Sequence, residues 1–353
     1  MINKNSFDRL STSIDCMRFP LMLSIIFIHA YIAVPISEHQ TYYRLIYPFS
    51  LWMGETGVPG FFFISGLWFF YSKKNYSTKI KDRVHTLVIP YLIWNSLLLL
   101  GFIFAYALGY NREIFMGRGI ANYDFFDYIR AYWDRGDFDS GNFKPIYPPM
   151  WYLRNLMILC ILSPIIKIII QKTGFALPVI TGILWCFTYN EGLIYESVSA
   201  FCLGAYFPIC DINIINILDK YKKYIIFILV TLAISDFLTH SLITFHYNLQ
   251  IHRLSIFTNI FCFPIIGDYL YRHKLYNQAL SKMSFFIYCI HLPIVTIIRK
   301  PALGYPELSS LTHIILYFAS VIAITIICIF IYKLFSLVFP SIMDLATGNR
   351  KNT

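Results

Sequence analysis

The first apolar run of the chain is CMRFPLMLSIIFIHAYIAV, residues 16–34. It carries two ionisable side chains, Arg18 and His29, with ten residues between them. In a helix eleven steps advance about 1100°, so the two side chains share a face within roughly 20° and lie roughly 16 Å apart along the axis. Ionisable groups inside an apolar span are costly and usually functional. The pair predicts a membrane helix that binds an anion and holds its reactive end at a proton-transfer group.

The composition extends this interpretation to the whole chain. Of its 353 residues, 57% are hydrophobic and 14% are charged, whereas soluble domains carry about 25% charge. The net charge of +10 is distributed in a way that favours a lipid bilayer as partner and argues against nucleic acid. No polar linker divides the chain, so we expect one all-α membrane domain over 8–340 and a short tail over 341–353. The eight cysteines form no CxxC, which predicts packed thiols and no metal site.

Ten stretches are candidates for membrane spans, because crossing a bilayer takes about 20 apolar residues. They are 16–34, 51–71, 84–108, 150–170, 175–190, 196–210, 223–240, 253–271, 280–298 and 312–339. The fifth and sixth are short. Most of the 29 basic residues fall on one side if the N-terminus is inside. The pattern therefore predicts a multi-pass plasma-membrane protein with both termini in the cytoplasm.

One long segment, 109–149, is expected outside the membrane. It holds eleven aromatic residues interleaved with five aspartates. Phe125, Tyr128, Ile129 and Tyr132 fall at helical spacing, which predicts a short interfacial helix with an aromatic belt. The alternative is a platform where aromatic faces and carboxylates grip a sugar.

Basic residues gather near the predicted inner ends of the first three spans. Asp15 and Arg18 stand three residues apart, the spacing of a helical ion pair that holds a snorkelling arginine. Arg83 and Lys79 belong to a basic loop that topology alone would require. The same side chains also suit an electropositive entry for a phosphate-rich cofactor, since Arg and Lys are the usual partners of phosphate.

Three further ionisable residues lie within or beside the predicted spans. His29 is either a packing residue or a base, because an imidazole with a pKa near neutral can remove a proton from an attacking hydroxyl. Glu55, near the outer end of the second span, either orients His29 or is a rim carboxylate. His291, beside Pro293 in the ninth span, is either a structural hydrogen-bonding residue or a catalytic or acceptor-positioning one.

Several motifs in order resemble the acyltransferase 3 family of membrane-bound acyltransferases. The first is Asp15-x-x-Arg18 followed after ten residues by His29. The others are GVPGFFFISG (57–66), KDRVHTLVIPYLIW (81–94), WYLRNLM (151–157) and FFIYCIHLPIV (285–295). The resemblance runs from about residue 8 to 340, nearly the whole chain.

This resemblance implies a ten-helix bundle that moves acyl groups, usually acetyl from cytoplasmic acetyl-CoA, onto hydroxyls of surface glycans. It places Arg18 and His29 in the family's arginine–histidine pair and Arg83 at its basic position before the third span. The CoA phosphates would rest against Arg18, Arg83 and Lys79, and His29 would serve as general base or transient acyl acceptor. Thr86 stands where the family commonly repeats a basic residue, so His85 or Lys79 would have to substitute.

Two other classes of function compete with an enzyme. A polytopic transporter would use the buried ionisable residues as a substrate or proton path, and it would predict an inverted repeat, of which we find no convincing example. A receptor or assembly scaffold without chemistry would leave the shared stripe of Arg18 and His29 unexplained.

Overall fold

The computed structural model describes residues 4–110, 113–115, 118–135, 143–188, 192–240, 247–303 and 307–348. These residues form α1 (Lys4–Ala30), α2 (Gln40–Tyr71), α3 (Tyr76–Arg83), α4 (Ile89–Ala107), β1 (Glu113–Phe115), β2 (Arg118–Gly119), α5 (Phe125–Ala131), α6 (Trp151–Thr173), α7 (Ala176–Phe187), α8 (Gly192–Ile209), α9 (Ile214–His240), α10 (Asn248–Arg272), α11 (Gln278–Leu303), α12 (Ser310–Val338) and α13 (Pro340–Thr347). A π-helical turn, Val84–Val88, joins α3 to α4, and short 3-10 turns precede α5 and α6.

All ten predicted stretches correspond to helices, which confirms an all-α polytopic membrane bundle. Within the described part of the chain, 7 helices are long and apolar enough to cross a membrane, fewer than the ten predicted spans. The fifth stretch, 175–190, is the clearest example of a predicted span that is too short, because α7 has only 12 residues. Several helices also begin before the apolar run that predicted them, since polar residues extend them beyond it. For example, α1 starts at Lys4.

The central helix is α1, which packs against α2, α10, α11 and α12. Close contact with α2 depends on glycine, because a Cβ at Gly54 would lie 2.1 Å from the Ile28 Cβ. A second close crossing joins α2 to α8, where Gly66 meets the Phe201 carbonyl and Gly204 meets the Phe63 carbonyl. Small residues that let helix backbones approach are typical of membrane helix packing.

The two ends of the bundle differ in the groups that hold them. We call the end where α1 begins the N-terminal face. There Arg9 pairs with Asp219 of α9 at 2.6 Å and with Asp268 of α10 at 2.8 Å, so one guanidinium ties three helices together. The helix α13 lies at the same end, and the Trp94 indole donates a hydrogen bond to the Ala346 carbonyl at 3.0 Å.

The opposite face carries the long segment between α4 and α6. Its described residues form the antiparallel pair of β1 and β2 and the helix α5, which confirms the predicted helix over 125–132. Asp124 accepts a hydrogen bond from the Asp127 amide at 2.8 Å and caps that helix. Two of the five aspartates in this segment, Asp137 and Asp139, lie outside the described residues.

Candidate active site

The structure brings His29 and His291 together inside the bundle, near the face opposite the N-terminal face. Their ring centroids lie 5.2 Å apart, one ring on α1 and the other on α11. His291 is fully buried, whereas His29 is half-buried. The ring of His29 makes no hydrogen bond to any described residue, so both of its nitrogens are available to a ligand.

The hydrogen bond of His291 fixes which of its ring nitrogens carries the proton. Its Nδ1 lies 2.7 Å from the Tyr288 carbonyl oxygen. Because a carbonyl oxygen can only accept, Nδ1 is the donor, and in the neutral ring Nε2 keeps its lone pair. That Nε2 is buried without a hydrogen-bond partner among the described residues. An unpaired basic nitrogen beside a second imidazole is suited to proton transfer.

The charges that act on His29 are positive among the described residues. They come from Lys144, in the segment between α4 and α6, and from Arg299 of α11. The Arg299 Nη1 donates a hydrogen bond to the backbone carbonyl of His29 at 3.1 Å. Five residues after Lys144, the Pro149 carbonyl accepts a hydrogen bond from the Tyr288 hydroxyl of α11. The histidine pair therefore lies in an electropositive environment.

Arg18 lies toward the N-terminal face, on the same helix as His29. Its Nη2 is 3.1 Å from the Asp15 carboxylate, and both side chains are about one-third exposed (34% and 38%). The structure thus forms the helical ion pair that the spacing of the two residues allows. Between Arg18 and His29 the same face carries Met22 and Ile25, which are only 0% and 3% exposed. These two buried side chains therefore occupy the helix face between the arginine and the imidazole.

Lys79 and Arg83 lie on aromatic rings at the N-terminal face. The Lys79 ammonium is 5.0 Å from the centre of the Phe69 ring, and the Arg83 guanidinium is 5.8 Å from the same ring. Lys79 also lines a cleft of about 590 Å³ together with Lys167. Within the described part of the chain, neither Lys79 nor Arg83 contacts Arg18, so the three predicted phosphate-binding residues do not form one direct cluster.

Glu55 pairs with a histidine that the sequence reasoning missed. Its Oε2 lies 3.1 Å from the His252 Nε2, and the His252 Nδ1 lies 2.6 Å from the Asp236 carboxylate. One imidazole thus bridges carboxylates of α2 and α9 from its place on α10. The available signal was Asp236 itself, an acidic residue within the apolar stretch 223–240.

Arg154 is a second residue whose position the sequence reasoning missed. Its side chain is 1% exposed and donates hydrogen bonds to the carbonyls of Trp133 at 2.7 Å and Phe143 at 3.0 Å. Its guanidinium also lies 3.9 Å from the centre of the Phe143 ring. Arg154 therefore holds the segment between α4 and α6 against the start of α6. An arginine inside the apolar stretch 150–170 was the signal for it.

Comparison with known proteins identifies the family to which this arrangement belongs. A family model described as an acyltransferase domain matches residues 11–333, from α1 into the last long helix. The chain belongs to the acyltransferase 3 family. It is therefore a polytopic membrane acyltransferase.

Similarity to individual proteins is more distant than the family match. The acyltransferase is 24% identical over 368 residues to the succinoglycan biosynthesis protein ExoH of Rhizobium meliloti (strain 1021), covering 96% of this chain and 92% of that protein. No solved structure is a significant match.

Proposed function

We propose that this acyltransferase moves an acyl group, most simply acetyl, from acyl-CoA to a hydroxyl of a surface polysaccharide or related glycan. The observation that carries the proposal is the pairing of His29 with His291 inside the bundle, 5.2 Å apart. Two facing imidazoles, one with an unpaired basic nitrogen, suit removal of a proton from an attacking hydroxyl. The similarity to a succinoglycan biosynthesis protein supports a polysaccharide as acceptor.

In this proposal His29 is the general base, or it accepts the acyl group briefly before passing it on. As base, it takes the hydroxyl proton while the hydroxyl oxygen attacks the thioester carbonyl carbon. His291 is the adjacent group that positions the ring of His29 and shares its proton. Asp15 holds the Arg18 side chain through their ion pair. Glu55 has its partner, His252, on α10 and therefore supports the packing of α2 against that helix.

The donor would bind from the N-terminal face, which we propose is cytoplasmic because basic loop residues gather there. Arg18, Arg83 and Lys79 are the candidate phosphate contacts, as cations of this kind are the usual partners of phosphate. The buried side chains of Met22 and Ile25 lie between Arg18 and His29. An acyl arm that runs along this face would reach His29 only after these two side chains move aside.

The direct test compares surface glycans from cells that carry the wild-type protein, His29→Ala or Arg18→Ala. We expect NMR spectra of the glycan to show ester-linked acyl groups with the wild type and to lose them with either variant. His273→Ala is the matched control, because that histidine is exposed at the N-terminal face. Unchanged acylation with His29→Ala, at an equal protein level, would contradict the proposal.

A further inference from the structure

Arg299 is a cation beside the histidine pair to which no described residue supplies a counter-ion. One of its nitrogens, Nη1, donates to the His29 carbonyl at 3.1 Å. Its Nε is buried and has no hydrogen-bond partner within the described residues. The groups that act on it electrostatically are the phenols of Tyr31 and Tyr42. Because a guanidinium has five N–H donors, most of its donors remain available.

Arg299 is half-buried near the end of α11, and an uncompensated charge in a membrane helix is costly and usually functional. The cost is offset when a negative charge arrives with the ligand or forms during the reaction. Acyl transfer forms such a charge, because attack on a carbonyl turns its oxygen into an oxyanion, and preorganised donors stabilise that oxygen strongly. The oxyanion forms within a few ångströms of the base that accepts the hydroxyl proton.

We propose that Arg299 is a catalytic residue that binds the oxyanion formed when an acyl thioester is attacked beside His29. This inference rests on the proposed function. The acceptor oxygen bonds to the carbonyl carbon, the carbonyl electron pair moves to its oxygen against Arg299, and the hydroxyl proton passes to the imidazole. When the intermediate collapses, the carbon–sulfur bond breaks and the thiolate takes that proton. The products are the ester and free CoA.

A purely structural role is the rival explanation. The His29 carbonyl is one of the last four of α1, which have no partner within the helix, and a cation at a helix C-terminus is favourable. A residue that only caps α1 would affect folding and thermal stability. A residue that binds the oxyanion would affect kcat and leave the KM values for donor and acceptor unchanged.

The experiment measures acyl transfer from acyl-CoA to the acceptor glycan in proteoliposomes with wild type, Arg299→Gln and Arg299→Lys. We expect Arg299→Gln to lower kcat by about 100- to 1,000-fold with unchanged KM values. Arg299→Lys keeps the charge and should have a kcat between those of Arg299→Gln and the wild type. Arg44→Gln is the control, because Arg44 is an exposed arginine of α2 near the same face, and it should retain wild-type kinetics.

The proposal is overturned if Arg299→Gln keeps the wild-type kcat, or if it changes only KM or only the thermal midpoint. Should Arg299→Gln fail to fold, Arg299→Lys decides, since it keeps a donor for the His29 carbonyl. A clear fall in its kcat supports the proposal, and a wild-type kcat overturns it. Absence of transfer by the wild-type protein itself would instead contradict the proposed function.

Discussion

Replacing Gly204 by alanine should force apart two helices whose backbones now touch. A Cβ at Gly204 would lie 2.0 Å from the Phe63 carbonyl oxygen of α2. Real Cβ atoms essentially never lie closer than 3.0 Å to a non-bonded heavy atom of another residue, so α2 and α8 must separate by at least 1.0 Å, the difference between these distances. Overpacking of this kind costs about 1–3 kcal/mol and occasionally more.

The shift should also reach the histidine pair. Helix α2 packs on α1 through Gly54 and Ile28, next to His29. A displacement of about 1 Å at a distant position can lower a catalytic rate by about 100-fold. We therefore expect Gly204→Ala to lower both the thermal midpoint of the purified protein and its acyl-transfer rate.

The matched control for this substitution is Gly182→Ala in α7. A Cβ there would lie 3.5 Å from the Phe257 ring, an ordinary contact, and alanine favours a helix by about 1 kcal/mol over glycine. Thermal unfolding in detergent, followed by tryptophan fluorescence, should show a midpoint at or above that of the wild type. The reasoning is refuted if Gly204→Ala is as stable as the wild type, or if the two variants lose equal stability.

Three further predictions concern the groups that hold the bundle and its ligand. Arg154→Met removes hydrogen bonds to the carbonyls of Trp133 and Phe143, each worth about 1.5–3 kcal/mol, so limited proteolysis should cut the segment between α4 and α6 faster. An unchanged cleavage rate would contradict this role. His252→Gln removes the imidazole that pairs with the buried Asp236 carboxylate and should cost about 3–5 kcal/mol in unfolding free energy, more than His240→Gln does. Equal losses in the two variants would refute this prediction. Lys79→Gln should raise KM for acyl-CoA at constant kcat, whereas substitution of the exposed Lys172 by Gln should change neither. An unchanged KM in Lys79→Gln would show that Lys79 does not bind the donor.

The helices were predictable because apolar runs of the right length leave few alternatives in a membrane. The ends of the helices were less predictable, because hydropathy marks only the apolar part of a helix. In α2, for example, the helix begins at Gln40, well before the predicted start at 51. The first turns of α2 are held by aromatic contacts, such as the stacked rings of Tyr31 and Tyr42 at 5.6 Å, which a hydropathy window does not detect.

The partners of the site residues depended on packing that sequence spacing cannot supply. Glu55 illustrates this: Gly54 faces Ile28 of α1, and one residue turns a helix by about 100°. Glu55 consequently reaches His252 of α10. The contact of His29 with His291 likewise required knowing that α1 and α11 are neighbours. Periodicity within one helix placed Met22 and Ile25 between Arg18 and His29, but it could not show that both side chains are buried.

A double-mutant cycle on the histidine pair tests whether His29 and His291 act together in acyl transfer. Acyl transfer from acyl-CoA would be measured in proteoliposomes with wild type, His29→Gln, His291→Gln and the double variant, with His273→Gln as control. If the two imidazoles act as one proton-transfer unit, each single variant should lose about 100- to 10,000-fold in kcat, and the double variant should be little worse than either. Losses that multiply in the double variant, or a His29→Gln rate equal to that of the wild type, would contradict the account.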